Sequence, residues 1–315
     1  MFLRKVLAAG LFAVLSTGFV KGSESSLNAP KQGKSESSLC NFFPKNNMRI
    51  SVSIAGNQMS ESDFNSILDL VQKIYTPIFD KYGFGLFQVE RRWTDETVNA
   101  FADIGTATDP KTGKQIQTRN IHMFGGLARH PLMTKEGFLL VACHEIGHHL
   151  GGYPRYSDQT WASAEGESDY YSTAKCARIV LSQLPSTQSW AQQHFREVDQ
   201  TVSNQCVQSF PNNPVQATMC MRSSTAGLSL ARVLGSLHGN ANQNFNTPDK
   251  SVVAQTFEGH PEAQCRLDTY FQAALCQKSE LERMGPGPNM GACETPNRGA
   301  RPACWYKAVT KIARQ

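Results

Sequence analysis

The segment HEIGHHLGGYP, residues 144–154, holds the residue types in this chain that are best suited to chemistry. His144 and His148 are four residues apart, so on a helix their imidazoles leave the same face and can share one metal ion. Glu145 then stands beside the first ligand, where its carboxylate can reach a water on that ion without binding the ion itself. The motif therefore predicts a helix that supplies two metal ligands and a general base.

A chance match to a five-residue motif is the alternative, and a third ligand would decide against it. The segment AEGESDYYSTAKC, residues 164–176, offers Glu165 and Asp169 one helical turn apart. One carboxylate can complete a His-His-Glu zinc site, while the other accepts the ring N–H of a ligand histidine. Glu167 is expected on a solvated helix face. His149 is expected to be a surface or second-layer histidine without a metal role.

The elements that must position these residues predict an α+β domain. The run TKEGFLLVACHEIGHHL is apolar nearly all round, which predicts a helix buried in the middle of the domain. Upstream, SESDFNSILDLVQKIYTPIFDKYG has apolar residues every three or four positions, with Ser60 or Ser62 as its N-cap and Gly83 near its end. Strands are expected in MRISVSIAG, GLFQVERRW, ETVNAFADIG and NIHMFGG, with a surface loop, TATDPKTGKQIQ, between the last two.

The N terminus is typical of an exported protein. A basic start, an apolar run and small residues predict a signal peptide at residues 1–22, cut after Gly18 or Gly22, with an uncleaved anchor as the alternative. Its removal lowers the net charge from +5 to +2, which is not the basic profile of a nucleic-acid-binding protein. No later stretch is apolar enough to span a bilayer. Residues 23–39 are polar and Ser-rich, which predicts a disordered leader.

Nine cysteines in an exported chain predict disulfide bonds, with at least one cysteine left out. Cys143 lies in the apolar helix and is expected to be the free, buried thiol. The sequence leaves the pairing of the others open, although short spacings make Cys265–Cys276 and Cys293–Cys304 attractive. No CxxC pair occurs, so a cysteine zinc finger is not expected. The cysteines expected to bridge are Cys40, Cys176, Cys206, Cys220, Cys265, Cys276, Cys293 and Cys304.

HEIGHHLGG followed by EGESD resembles the gluzincin metallopeptidases, which include HtpX-type heat-shock proteases, CAAX prenyl proteases and periplasmic BepA-like enzymes. Three more segments match in the family's order. VNAFADIG (98–105) is similar to its Asn-Ala-Phe-Ala strand, and IHMFGGL (121–127) to the strand and turn before the active-site helix. GHPEAQCR (259–266) is similar to its His-Pro segment with a later arginine. The resemblance covers roughly residues 90–270.

The resemblance implies a zincin-like fold with a mixed sheet and a buried active-site helix. The composition of the C-terminal part, which is rich in cysteine, adds the expectation that this part is helical and stapled by disulfides. The resemblance further implies a zinc-dependent metalloendopeptidase that hydrolyses polypeptides in the periplasm or outside the cell. The resemblance also gives each matched position a role. His144, His148 and Glu165 would bind one zinc ion, with Glu145 as the general base and Asp169 orienting a ligand histidine. His260 and Arg266 would steady the oxyanion or the Glu165 carboxylate, and an extended peptide would add to the sheet at the edge formed by Asn99, Ala100 and Phe101.

The chain also departs from the family. The loop after the Asn-Ala-Phe-Ala strand is longer than usual, and no membrane segments interrupt the domain, which favours comparison with the soluble branch. Residues 181–250 predict helices joined by polar loops. The metallopeptidase domain is expected at residues 40–275, and residues 276–315, which have no counterpart, are expected to form a disulfide-stapled surface segment. The alternative function is a non-catalytic binding or chaperone-like module on this scaffold, or a latent protease with a plugged site.

Overall fold

The computed structural model describes residues 40–53, 59–109, 112–184, 187–194 and 196–309. The predicted signal peptide and leader lie outside this part of the chain. All described residues belong to one unit, Glu36–Gln315. Within the described ranges, no helix is both long and apolar enough to cross a membrane.

The sheet has four strands in the order β1-β3-β4-β2. β2 runs parallel to β4, whereas β1 and β4 both pair antiparallel with β3, so the sheet is mixed. The loop predicted at residues 106–117 is shorter than expected, because its outer residues continue the ladder and Thr108 pairs with Gln115. The strands are β1 Cys40–Asn41, β2 Leu86–Arg92, β3 Ala100–Thr108 and β4 Gln115–Phe124.

The strand predicted in MRISVSIAG is wrong for the described part of that segment. Arg49 forms one isolated bridge with Thr97, and the ladder extends no further there. The Ile50 carbonyl, which a ladder would need as an acceptor, instead accepts two hydrogen bonds from the guanidinium of Arg129, at 3.2 and 2.9 Å. Residues 54–56 of the segment lie outside the described residues.

The first long helix, α1 (Glu61–Tyr82), confirms the prediction from spacing and caps. Ser60 is the N-cap: its hydroxyl accepts from the Asp63 N–H at 3.1 Å, and the Asp63 carboxylate accepts from the Ser60 N–H at 3.1 Å. Gly83 ends the helix at φ 67°, where a side chain would be strained. The apolar residues three or four positions apart form one buried stripe that faces the core.

The predicted central helix is α3 (Lys135–Leu150), which follows the short helix α2 (Gly125–Ala128). Thr134 caps it by accepting a hydrogen bond from the Gly137 N–H at 3.0 Å. Every residue from Gly137 to Leu150 is buried, as expected for a helix that is apolar nearly all round. The helix contacts the sheet, α1 and several later helices.

The second half of the chain is helical, as the sequence predicts for residues 181–250. A helix that begins at Glu165 continues through a π-helical turn, and the last three helices enclose a second apolar cluster. These elements are α4 Glu165–Tyr171, the π-helical turn Ser172–Ala177, α5 Arg178–Ser182, α6 Thr187–His194, α7 Gln200–Ser209, α8 Pro214–Ser236 and α9 Ala263–Leu275.

Four disulfides form and one cysteine stays free, but the free cysteine is Cys40, so the expectation for Cys143 is wrong. Cys143 lies on α3 where that helix faces the π-helical turn, and it bonds there to Cys176. Cys265 cannot reach Cys276, because these residues lie at opposite ends of α9, about 16 Å apart at 1.5 Å per residue. The four bridges are Cys143–Cys176, Cys206–Cys220, Cys265–Cys304 and Cys276–Cys293.

The C-terminal segment is stapled by two disulfides, yet it is more than a surface segment. Trp305 is fully buried against Gly166, where an added Cβ would lie 2.3 Å from the indole. Glu167 is also fully buried, and its carboxylate pairs with Arg301 at 2.6 Å, so the expectation of a solvated Glu167 is wrong. The segment therefore packs over α4 and holds it against the rest of the fold.

Candidate metal centre

Three side chains from two helices converge in the buried interior. His144 and His148 leave one face of α3, and Glu165 is the first residue of α4. The His144 Nε2 atom lies 3.3 Å from Glu165 Oε2, and the His148 Nε2 atom lies 3.5 Å from Glu165 Oε1. All three side chains are fully buried, and one ligand atom of each lies within 4.8 Å of the others.

The unpaired atoms of this cluster fit a metal ion. Both Nε2 atoms and Glu165 Oε2 are buried and have no hydrogen-bond partner among the described residues. Leaving a buried polar atom unpaired is costly, so such atoms are rare and call for an explanation. A cation shared by the three would satisfy them together. Two imidazoles and one carboxylate are the donor set of many catalytic zinc sites, which keep the fourth position open.

The opposite ring nitrogens are held by hydrogen bonds that turn the lone pairs toward the centre. His144 Nδ1 donates to Asp169 Oδ1 at 2.8 Å. His148 Nδ1 donates to the carbonyl oxygen of Ser163 at 2.8 Å, and the hydroxyl of Ser168 lies 3.0 Å from the same nitrogen. With the proton on Nδ1, each Nε2 atom presents the lone pair that a metal needs.

Asp169 lies where the sequence expects it, behind His144, and two more residues hold it there. Arg266 donates to both carboxylate oxygens at 2.7 Å, and the hydroxyl of Tyr270 donates to Oδ1 at 2.7 Å. Burial opposes ionisation of Asp169, but Arg266 and His144 outweigh it and keep the pKa of Asp169 below its usual value. Arg266 also donates to the Phe42 carbonyl at 2.9 Å. The side chain expected to steady the oxyanion or the Glu165 carboxylate thus binds Asp169 and the Phe42 carbonyl instead.

The protonation states suit a divalent cation. Burial lowers the pKa of His148 to about 4, so this ring is neutral at pH 7. Burial opposes ionisation of Glu165 too, but the three nearby histidines keep its pKa well below the usual range. For His144, burial is outweighed by Asp169, which raises the pKa to about 9. A metal ion would therefore displace a proton from His144 on binding.

Glu145 is fully buried next to the candidate ligand His144, and neither of its carboxylate oxygens has a hydrogen-bond partner among the described residues. Burial raises the pKa of Glu145 well above its usual value. A carboxylate with a raised pKa and no structural hydrogen bond is suited to accept and return a proton.

His260 joins the cluster from the segment that leads into α9. Its Nε2 atom lies 3.5 Å from Glu165 Oε2 and donates to the carbonyl oxygen of Asn41 at 2.6 Å. The side chain is 24% exposed, whereas those of the three candidate ligands are completely buried. His260 therefore stands between the buried cluster and the surface.

Several contributors to the site are not apparent in the sequence motifs. The hydroxyl of Tyr156 donates to Glu165 Oε1 at 2.8 Å, and no spacing rule marks that tyrosine. Tyr270 lies four residues after Arg266, so the two residues share one face of α9. Gly147, inside the motif, lets α4 approach α3: a Cβ at this position would lie 2.8 Å from the Ser168 backbone.

The edge expected to bind substrate is covered by residues 40–43 of the same chain. The Ala100 carbonyl accepts from the Phe42 N–H at 2.9 Å. The side-chain oxygen of Asn99 accepts from the Phe43 N–H at 3.0 Å. Phe101 is paired in register with Asn41. Asn99, Ala100 and Phe101 thus bind an extended segment, and that segment belongs to the same chain.

Comparison with protein-family models, with curated proteins and with solved structures found no match to this chain. The resemblance to the gluzincins therefore rests on the motifs alone, and an assignment of function has to be argued from the geometry of the site.

Proposed function

We propose that this protein is a zinc-dependent metalloendopeptidase of the gluzincin type with a zincin-like fold. One observation carries the proposal. The unpaired Nε2 atoms of His144 and His148 and the unpaired Oε2 atom of Glu165 converge in the buried interior, and the free carboxylate of Glu145 lies on the same helix. A structural zinc site has no need of this glutamate, whereas hydrolysis needs a general base.

His144, His148 and Glu165 would hold the zinc ion, which when bound supplies a Lewis acid that makes water more acidic and polarises a carbonyl. Glu145 takes the proton of the attacking water and passes it to the leaving amine. His260 donates a hydrogen bond to the carbonyl oxygen of the peptide under attack. Asp169 keeps His144 in the ligating tautomer, and Tyr156 orients Glu165.

The proposed location is the periplasm or the cell exterior. Four disulfides are expected in an oxidising compartment and are rare in the cytosol. The basic and apolar start of the chain supports the same location, because it is typical of a signal peptide.

Zinc analysis combined with digestion tests this function. The purified chain should contain about one zinc ion per molecule, the number that a single three-ligand site holds. Casein digestion should stop when a chelator removes the metal and resume when zinc is added back. Protein that lacks zinc after purification and after incubation with zinc would contradict the proposal.

A latent form of the same enzyme is the second candidate, and burial of the site favours it. His144, Glu145, His148 and Glu165 are all completely inaccessible to solvent, so a polypeptide cannot reach them in this conformation. A non-catalytic binding module is less well supported, because it gives no reason for the unpaired carboxylate of Glu145.

A further inference from the structure

The segment Cys40–Phe43 lies along β3 as an added antiparallel strand. Cys40 pairs in register with Ala102, and Asn41 with Phe101. The Phe42 N–H then donates to the Ala100 carbonyl at 2.9 Å. Main-chain pairing of this kind is how proteases and peptide-binding domains hold extended peptides at a sheet edge.

One carbonyl of this segment stands at the candidate metal centre. The Asn41 oxygen accepts from His260 Nε2 at 2.6 Å, and that nitrogen is 3.5 Å from Glu165 Oε2. The proposed reaction gives His260 the task of donating to a peptide carbonyl. The Asn41 carbonyl therefore occupies the hydrogen-bond position on His260 that the substrate's carbonyl would take.

The next side chain fills a pocket beside the candidate ligands. The ring of Phe42 meets that of His144 edge to face, with 4.9 Å between centroids. The Arg266 guanidinium also lies 4.5 Å from the centroid of the Phe42 ring. Phe42 is completely buried. An aromatic ring suits this place, because its edge and face can satisfy an imidazole and a cation together.

Nothing covalent ties this segment to the rest of the fold except the chain that follows it. Cys40 is the free cysteine, whereas the other eight are bonded to one another. The following residues Pro44, Lys45 and Asn47 are exposed at the surface. A cut there would leave the segment held by hydrogen bonds and packing alone.

We propose that Cys40–Phe43 is a resident pseudosubstrate, and that this site accepts extended peptides which place an aromatic side chain where Phe42 lies and the preceding carbonyl on His260. The inference rests on the proposed function and adds its substrate class and its regulation. The segment has to leave β3 before another polypeptide can bind.

The test uses the full chain with a recognition sequence for a site-specific protease inserted between Pro44 and Lys45. Insertion at an exposed position between buried elements is well tolerated. The folded, zinc-loaded protein is cut, and the released N-terminal fragment is removed by gel filtration. Zinc transfer to a chelator and casein digestion should both become faster, by about tenfold or more, because a covered site is available for only a small fraction of the time.

A disulfide lock is the matched control. Cys40 is directly opposite Ala102, and opposed residues in an antiparallel pair lie about 4.5–5.5 Å apart between Cα atoms, within the range that a disulfide spans. Ala102→Cys should therefore bond to Cys40 and keep the segment in place after the cut, with both rates slow. The double variant Ala102→Cys/Cys40→Ser cannot form the lock and should respond to the cut as the parent does.

Adding a peptide with the sequence CNFFPK to the cut protein should slow both rates again. The same peptide with alanine in place of the first phenylalanine should need a concentration about tenfold higher, since burial of one aromatic ring contributes more than 1.4 kcal/mol. Equal inhibition by the two peptides would overturn the aromatic preference.

Three results would overturn the pseudosubstrate proposal. The first is that zinc transfer and casein digestion are no faster after the fragment has been removed. The others are that the fragment stays bound through gel filtration when no disulfide holds it, or that the cut protein no longer unfolds cooperatively. The proposed function fails separately. If cut protein that carries Glu145→Gln digests casein at the parent's rate, the hydrolytic mechanism is wrong, while the zinc-transfer rates still report whether the segment covers the site.

Discussion

At the scale of single residues, Glu145 separates catalysis from metal binding. It lies beside the candidate ligand His144, its carboxylate has no hydrogen-bond partner in the part of the chain that the structure describes, and burial raises its pKa. Glu145→Gln keeps the shape of the side chain but removes the base. Zinc content should stay the same, while casein digestion should fall by about a hundred- to ten-thousandfold, the usual loss for a positioned general base. Digestion at the parent rate would assign the activity to another site.

His148 tests the metal, and its neighbour provides the control. His148→Ala removes one of the three proposed ligands, so the purified protein should lose the stoichiometric zinc that the proposed function requires. His149 is also buried, but its Nε2 atom bonds to the Asn120 carbonyl at 3.2 Å and lies outside the three-residue cluster. His149→Ala should keep the zinc. Metal analysis per folded molecule, with folding checked by circular dichroism, gives the answer, and equal zinc in both variants would remove His148 from the site.

Tyr156 should affect the metal without binding it. Tyr156→Phe removes the hydroxyl that donates to Glu165 Oε1 at 2.8 Å and keeps the ring, which lies 6.4 Å from that of His148 between centroids. Zinc affinity should fall by about 10- to 100-fold, as is typical when a partner of a metal ligand is lost. A competition titration against a chelator measures this, and unchanged affinity would show that Glu165 is oriented without the tyrosine.

At the scale of elements, the close approach of α3 and α4 sets the distance between the candidate ligands. A Cβ at Gly147 would lie 2.8 Å from the Ser168 backbone, so Gly147→Ala has to push the helices apart. We expect a loss of about 1–3 kcal/mol in the free energy of unfolding, the usual range for overpacking, together with weaker zinc binding.

The matched control for this change is Gly287→Ala. A Cβ at Gly287 would meet only the Met290 side chain, at an ordinary 3.4 Å. Urea denaturation of both variants compares the two positions directly. A Gly147 variant as stable as the Gly287 variant would mean that the helices do not need this close contact.

The elements that could be predicted are those specified locally. Ser60, Gly83 and the apolar spacing between them define α1, and the motif itself places His144 and His148 on one helix face. β1 is different, because its two residues become a strand only by pairing with β3. The free cysteine could not be predicted for the same reason. Nothing near Cys143 in the sequence indicates a disulfide partner, because Cys176 reaches it only in the complete fold.

At the scale of the whole molecule, the site needs distant parts of the chain at once. The candidate ligands come from α3 and α4, and His260 and Arg266 come from the region before and within α9. The segment that covers them comes from the N-terminal end of the described chain. Sequence spacing within one helix could predict the ligand pair, whereas contacts between residues more than a hundred positions apart, such as Arg266 with Phe42, depend on the complete fold.

Labelling of the free thiol tests whether the segment that contains Cys40 is packed against β3, and it needs no assay of activity. Cys40 is buried against β3, and burial raises the pKa of its thiol, so iodoacetamide should not label it in the native protein. Denaturation without reduction should expose one cysteine per chain, because the four disulfides stay closed. Mass spectrometry should find the label on Cys40 and should recover Cys143 linked to Cys176. Label on Cys143 would contradict this pairing, whereas rapid labelling of Cys40 in native protein would show that the N-terminal segment leaves β3 spontaneously.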